Sequence, residues 1–215
     1  MIIDTHTHIG NMLNFNLTEE DLLYSMDKYG IAYSLVSNLE GAEYGHHGEP
    51  VPKELCKPQN EILKTTLAFA RKHPDKLGVL PWLKISTETV DEEMYRLVEE
   101  NRDIICGIKL HPFHSRTAPD SKKAEPVMEL AEKFGLTVAS HTGGCEEASS
   151  IHLYNAAKEH PDINFVMVHM DLGTDNKKAL ELLGKLPNLY GDTAWVPVST
   201  TIEAIRRYGS GKMFF

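Results

Sequence analysis

Positive charge is in short supply in this chain: 22 Lys and Arg stand against 31 Asp and Glu over 215 residues, for a net charge of −9. Nucleic-acid binding needs clustered Lys and Arg to neutralise phosphates, and doublets such as Lys122-Lys123 and Lys177-Lys178 read as solvated helix faces. No nucleic-acid partner is expected. Cysteine is scarce too. Cys56, Cys106 and Cys145 are odd in number and far apart, which suggests neither a disulfide framework nor a paired-Cys zinc site and fits a reducing compartment. No run approaches the roughly 18 apolar residues that a membrane helix needs, and the start lacks the basic, apolar and small-residue order of a secretory leader. The expectation is a cytoplasmic protein without membrane contact. No glycine-rich phosphate loop follows the first apolar run, which argues against an open doubly wound nucleotide-binding sheet.

What is present is an ordinary globular composition, 41% hydrophobic and 25% charged, in a length that suits one domain over 1–215. Short β-branched runs recur at Ile2-Ile3, Ala32 to Ser37, Leu77 to Leu83, Ile104 to Leu110, Leu136 to Ser140, Ile163 to Val168 and Leu189 to Trp195, each read as a buried strand. Helical spacing lies between them, as in Leu22, Leu23 and Met26, or Ile62, Leu63, Leu67 and Ala70. Pro74, Pro161 and Pro187 each stop a helix shortly before the next strand. Strand and helix therefore alternate, and the predicted fold is an α/β (β/α)8 TIM-type barrel. An eighth strand starts near Lys212-Met213-Phe214-Phe215, so the barrel is expected to be truncated there, with its last unit missing. The long stretch from Leu39 to Lys57, which holds His46 and His47, is expected to fold over the strand ends.

Asp4-Thr5-His6-Thr7-His8 follows the first strand directly, and a period of two puts Asp4, His6 and His8 on one side of extended backbone. Imidazole nitrogen is a common ligand for zinc and similar ions, so two such rings at a strand end form a chelate in need of partners. Later strands also end in histidine: His111 after the fourth, His141 after the fifth and His169 after the sixth. Barrel active sites form at that edge.

Together with Gly107 to Pro112, His141-Thr142-Gly143, His169 with Gly173, and Tyr190 to Ala194, the opening motif resembles the amidohydrolase superfamily, within it the amidohydrolase-related branch of metal-dependent hydrolases and decarboxylases. The resemblance spans essentially the whole chain. It implies that His6, His8 and His141 hold a divalent metal, with Zn2+ expected, while His169 is a further ligand or, as favoured here, orients the attacking water. Some superfamily members carboxylate a fourth-strand lysine to bridge two metals; otherwise Lys109 pairs with a substrate carboxylate or an acidic neighbour. His111 and Arg116 are the expected substrate-binding residues. The branch also places an aspartate just after the eighth strand, beyond Phe215, and Asp192 receives no role in its stead.

The expected activity is hydrolysis of an amide, lactone or ester of a small carboxylate-bearing molecule, with a homodimer as the assembly. The alternatives are a non-oxidative metal-dependent decarboxylase and a metal-binding barrel that is catalytically silent. A deoxyribonuclease relative is disfavoured by Lys109 and His111, which stand where a Glu-rich fourth strand would be needed.

Overall fold

A computed structural model describes residues 1–215. The chain opens with a strand, β1 (Ile2–Met12), which turns back through a short antiparallel partner, β2 (Phe15–Leu17). Helix α1 (Glu19–Tyr29) starts where Thr18 and Asp21 close a reciprocal capping box, and it stops at Gly30, whose φ of 67° suits a residue without Cβ. Then follow β3 (Ile31–Asn38), α2 (Gln59–Ala70), β4 (Leu77–Val79), α3 (Glu92–Glu100), β5 (Gly107–Leu110), α4 (Pro112–Ser115) and α5 (Glu125–Phe134). The remainder is β6 (Thr137–Gly143), α6 (Ser150–Glu159), β7 (Phe165–Leu172), α7 (Lys177–Leu183), β8 (Leu189–Asp192), α8 (Val198–Tyr208) and β9 (Met213–Phe214). No helix is long and apolar enough to cross a membrane.

Apart from β2 the paired strands run parallel, in two ladders ordered β2-β1-β3-β4 and β5-β6-β7-β8-β9. The β3–β4 ladder ends at Val79, and toward β5 the chain makes only isolated bridges, Val79 to Ile105 and Trp82 to Lys109, on either side of Pro81, which has no N–H to give. Backbone bonds still join the ladders there: Val79 N–H to the Ile104 carbonyl at 2.8 Å, Cys106 N–H to Val79 at 3.0 Å, and Lys109 N–H to Pro81 at 2.8 Å. At the opposite seam Thr5 donates to the Phe215 carbonyl through its N–H at 2.6 Å and its hydroxyl at 2.8 Å. The strands thus circle as a (β/α)-barrel in which β9 is the predicted eighth strand.

A cluster of 40 buried residues fills the space between strands and helices, and Leu80, Ala139, Val166 and Val168 pack separately with Leu35, Tyr190 and Phe214 around them. Burying each Val, Leu, Ile, Met or Phe side chain among them contributes about 1.5–3 kcal/mol. His73 and His160 follow α2 and α6, with His160 bonded to Glu132 at 2.8 Å.

The segment between β3 and α2 is tied down at its base. Glu43 is buried, and its carboxylate accepts the Ser86 N–H at 3.1 Å, the Thr87 N–H at 2.6 Å and the Thr87 hydroxyl at 2.7 Å. Glu43→Ala strands these donors and is expected to lower stability by about 1–3 kcal/mol. It should also speed amide exchange selectively in residues 39–57, as hydrogen–deuterium exchange would measure; uniform exchange across the chain would contradict this anchoring.

Candidate metal centre and active site

Residues 2–12 form one strand, so His6 and His8 lie within β1 and not in a loop after it. Their Nε2 atoms approach to 3.0 Å. The period of two is broken just before them. A register shift between Asp4 and Thr7 inserts an extra residue against β3, and Asp4 turns its carboxylate back to the His6 N–H at 3.0 Å. Asp4 thus accepts a bond from the backbone two residues on, within reach of the Asp192 charge. Burial raises its carboxyl above the usual range.

The rings at this end of the barrel form a closed circle. His6 and His8 are 4.9 Å apart, His8 and Trp82 5.8 Å, and Trp82 stacks on His111 at 4.8 Å. His111 stacks on His141 at 4.1 Å, His141 meets His169 at 5.0 Å, and His169 returns to His6 at 4.9 Å. Lys109, fully buried on β5, reaches in with Nζ 3.1 Å from His6 Nε2. Burial pushes this lysine down to about 7, with the Asp192 carboxylate partly opposing the shift. Burial, then the neighbouring rings and Lys109, hold His6, His8, His111 and His141 well below the ordinary imidazole range.

Asp192, to which sequence reasoning gave no role, stands at the centre of the second line of contacts. Its Oδ2 lies 3.1 Å from His6 Nδ1 and its Oδ1 accepts the His169 N–H at 2.7 Å. The legible signal was its place at the end of a strand, Tyr190-Gly191-Asp192. Ser37, at the end of β3, was missed as well; its hydroxyl lies 2.8 Å from His8 Nδ1 and 3.4 Å from the Thr7 carbonyl.

These partners set where the protons sit. His6 Nδ1 faces a carboxylate and His169 Nδ1 faces the Ala194 carbonyl at 2.8 Å, so each carries its hydrogen there and leaves Nε2 as a lone pair. The relay from His8 Nδ1 through Ser37 to Thr7 does the same for His8 Nε2. His141 Nε2 bonds the Gly143 carbonyl at 3.2 Å, and its Nδ1 is buried with no partner. Two lone pairs facing each other at 3.0 Å, with only Lys109 beside the one on His6, and an orphaned buried nitrogen are what a cation would satisfy. His6, His169 and Asp192 moreover offer donor atoms that all lie within 4.8 Å of one another. Neutral nitrogen with one carboxylate suits zinc and other divalent first-row ions, so the residues present fit a divalent metal.

His169 is presented by unusual backbone. His169, Met170 and Asp171 have φ of 69°, 49° and 67°, three successive non-glycine residues in the left-handed region, each costing about 1–2 kcal/mol. Gly143 makes room for them, since a Cβ there would sit 2.2 Å from Leu172 N and 2.6 Å from Asp171 C.

Arg116 lies in the loop clasp, with its guanidinium 4.5 Å from the Phe113 ring centroid and Nη2 3.5 Å from the His46 carbonyl. His46 and His47 are exposed, and His46 packs its ring against Phe15, Phe113 and His114. Trp82 walls the circle from inside, whereas Trp195 stacks on His169 at 5.1 Å while 74% exposed. His152 is half-buried on α6 and bonded to Asp120 at 2.9 Å, away from the circle.

A family model for amidohydrolases matches residues 3–210, and the chain belongs to the amidohydrolase family, whose enzymes are metal-dependent. No curated protein matches the chain in sequence. Among solved structures it is similar to a TIM-barrel protein from Bordetella bronchiseptica, at 18% identity over 100% of this chain and 84% of that one, with a TM-score of 0.67. It is similar also to 2,6-dihydroxybenzoate decarboxylase from Rhizobium, at 14% identity over 99% and 85% with a TM-score of 0.68. A third, dihydroxybenzoic acid decarboxylase from Polaromonas sp. JS666 with bound manganese and 2-nitroresorcinol, matches at 14% identity over 99% and 84%, TM-score 0.68. At these identities the likenesses show the barrel fold.

His114 joins the long loop to the site's edge, its Nδ1 donating to the Tyr44 carbonyl at 2.8 Å and its own carbonyl accepting the Glu43 and Tyr44 N–H groups. Burial pushes His114 down to about 4. Between there and the unfolded value near 6.5 the unfolded chain binds the proton and the folded chain does not. The group's contribution to stability is therefore complete above about pH 6.5 and drains as pH falls toward 4. His114→Asn is expected to flatten the slope of unfolding free energy against pH in that window by up to about one proton, read from urea titrations. An unchanged slope would place the ring in solvent.

Proposed function

We propose that residues 1–215 form one amidohydrolase-type domain that uses a divalent ion, with zinc the expected one, to hydrolyse an amide, lactone or ester of a small carboxylate-bearing molecule. The observation that carries this reading is the convergence of unprotonated imidazole nitrogens, from His6, His8, His141 and His169, around the fully buried Lys109. His6, His8 and His141 are the proposed metal ligands. When bound, the ion polarises the carbonyl under attack and acidifies a water.

The chain's own residues supply the rest. Lys109 pairs with the substrate carboxylate, since no carboxylate of the protein lies within ion-pair distance of its Nζ. His169 accepts the water's proton at Nε2, the nitrogen its bond to Ala194 leaves free, and later returns it to the departing amine or alcohol. Asp192 keeps the His6 tautomer fixed, and because both its oxygens are engaged it stays in that role instead of acting as the base. His111, stacked between Trp82 and His141, lines the pocket, and Arg116 borders it from the loop.

Decarboxylation is the second reading. The two decarboxylase structures share this barrel, and a buried lysine against His6, in a site whose His6 also borders apolar Leu35, Leu80, Val166 and Val168, suits a carboxylate about to leave as neutral carbon dioxide. Parallel assays of proton release from lactones and esters and of carbon dioxide release from hydroxybenzoates separate the two, and carbon dioxide release alone overturns hydrolysis.

The metal assignment has its own test. His6→Ala with His8→Ala is expected to abolish bound zinc or manganese by elemental analysis, and Asp192→Asn to weaken it by about 10- to 100-fold in chelator competition. Equal metal in the double variant and the parent would overturn the site.

A further inference from the structure

We propose that Asp171 is a positioning residue for His169: it fastens the left-handed turn that aims the imidazole to the N-terminus of α6. The inference rests on the reading of His169 as the proton acceptor of the site. It begins with the register of the sheet, where His141 pairs with Val168 and Gly143 with Leu172, so that His169, Met170 and Asp171 stand where β6 has Thr142 alone. Side chains ordinarily avoid the backbone conformation these residues adopt, and it persists only where its surroundings over-determine it.

The surroundings do so through several bonds. Thr142 Oγ1 accepts the Asp171 N–H at 2.9 Å and donates to the Val168 carbonyl at 2.8 Å, which spans the turn from outside. Asn176 Nδ2 donates to the Met170 carbonyl at 2.7 Å, and the Thr174 hydroxyl donates to the Asp171 carbonyl at 2.8 Å. The Asp171 carboxylate, 4% exposed, accepts the Ser150 N–H at 2.7 Å and the Ser150 hydroxyl. Ser149, the residue placed to cap α6, makes no side-chain cap bond, so Asp171 does that from another strand. Helix α6 is thereby the fixed body against which the turn is held. At the other end of the turn Asp192 grips the His169 N–H, and the imidazole is left free to point Nε2 into the circle of rings.

This arrangement predicts that contact geometry at Asp171 matters more than its charge. Asp171→Asn keeps an acceptor for the Ser150 N–H and a donor facing the Ser150 hydroxyl, whereas Asp171→Ala keeps neither. The experiment compares these two variants and Ser150→Ala with the parent by crystallography, by imidazole 15N shifts of His169 in metal-free protein, and by Mn2+ titration calorimetry. Expected for Asp171→Ala are relaxation of residues 169–171 out of the left-handed region and loss of the fixed Nδ1–H tautomer of His169, with Mn2+ bound as in the parent because His6, His8 and His141 are the proposed ligands. Asp171→Asn should stay close to the parent, and Ser150→Ala should shift in the same direction as Asp171→Ala by a smaller factor.

A purely structural Asp171 would lower the melting point while leaving the His169 15N shifts and the left-handed turn at parental values, and that result overturns the proposal. Should Asp171→Ala fail to fold, Ser150→Ala decides, and an undisturbed turn with parental shifts overturns it equally. A parent that binds no Mn2+ sinks the metal reading instead, and the nitrogen shifts then still decide whether Asp171 aims His169.

Discussion

The Asp192 carboxylate has one oxygen on the His6 ring and the other on the His169 backbone, and so joins β1, β7 and β8 at the end of the barrel where the histidines gather. Burial raises its own pKa, because an ionised carboxylate loses hydration there, and the backbone bond from His169, the nearby His169 ring and the Lys109 charge work against that shift. The consequence runs in both directions. His6 is fixed as the Nδ1–H tautomer, and His169 is held at the start of a turn that ordinary side chains avoid. Without this one group, Lys109 would be a buried cation among neutral rings with no negative charge to offset it.

The fold was readable because the barrel repeats one unit, in which apolar β-branched runs alternate with amphipathic helices and proline marks the joins. Leu77 to Leu83 illustrates where reading falls short: the run is apolar throughout, yet Pro81 stands between isolated bridges and only Leu77–Val79 is a regular strand. The opening motif was readable for its chemistry but not for its backbone, since periodicity cannot announce the bulge that turns Asp4 toward the His6 N–H.

In the site, histidines at strand ends were legible because few other residues at that edge bring neutral nitrogen. Asp192 was not, because an expected carboxylate after the eighth strand drew attention away from the seventh. Second-line partners such as Ser37, Thr142 and Asp171 carry no signature at all. Their importance lies in bonds between residues 21 to 29 positions apart, which only the folded chain brings together.

The loop between β3 and α2 was expected to lie over the strand ends, and Glu43 and His114 fasten its base, while the tip around His46 and His47 and the stretch 52–58 are exposed. A segment fastened at its base behaves as a wall of the pocket more than as a gate. Turnover in such an enzyme is paced by chemistry or by escape through a fixed opening, in contrast to enzymes in which a closing loop sets the rate. Selection among substrates would then follow from the static shape of that opening, and a change at the loop tip would alter which molecules enter before it altered how fast they react.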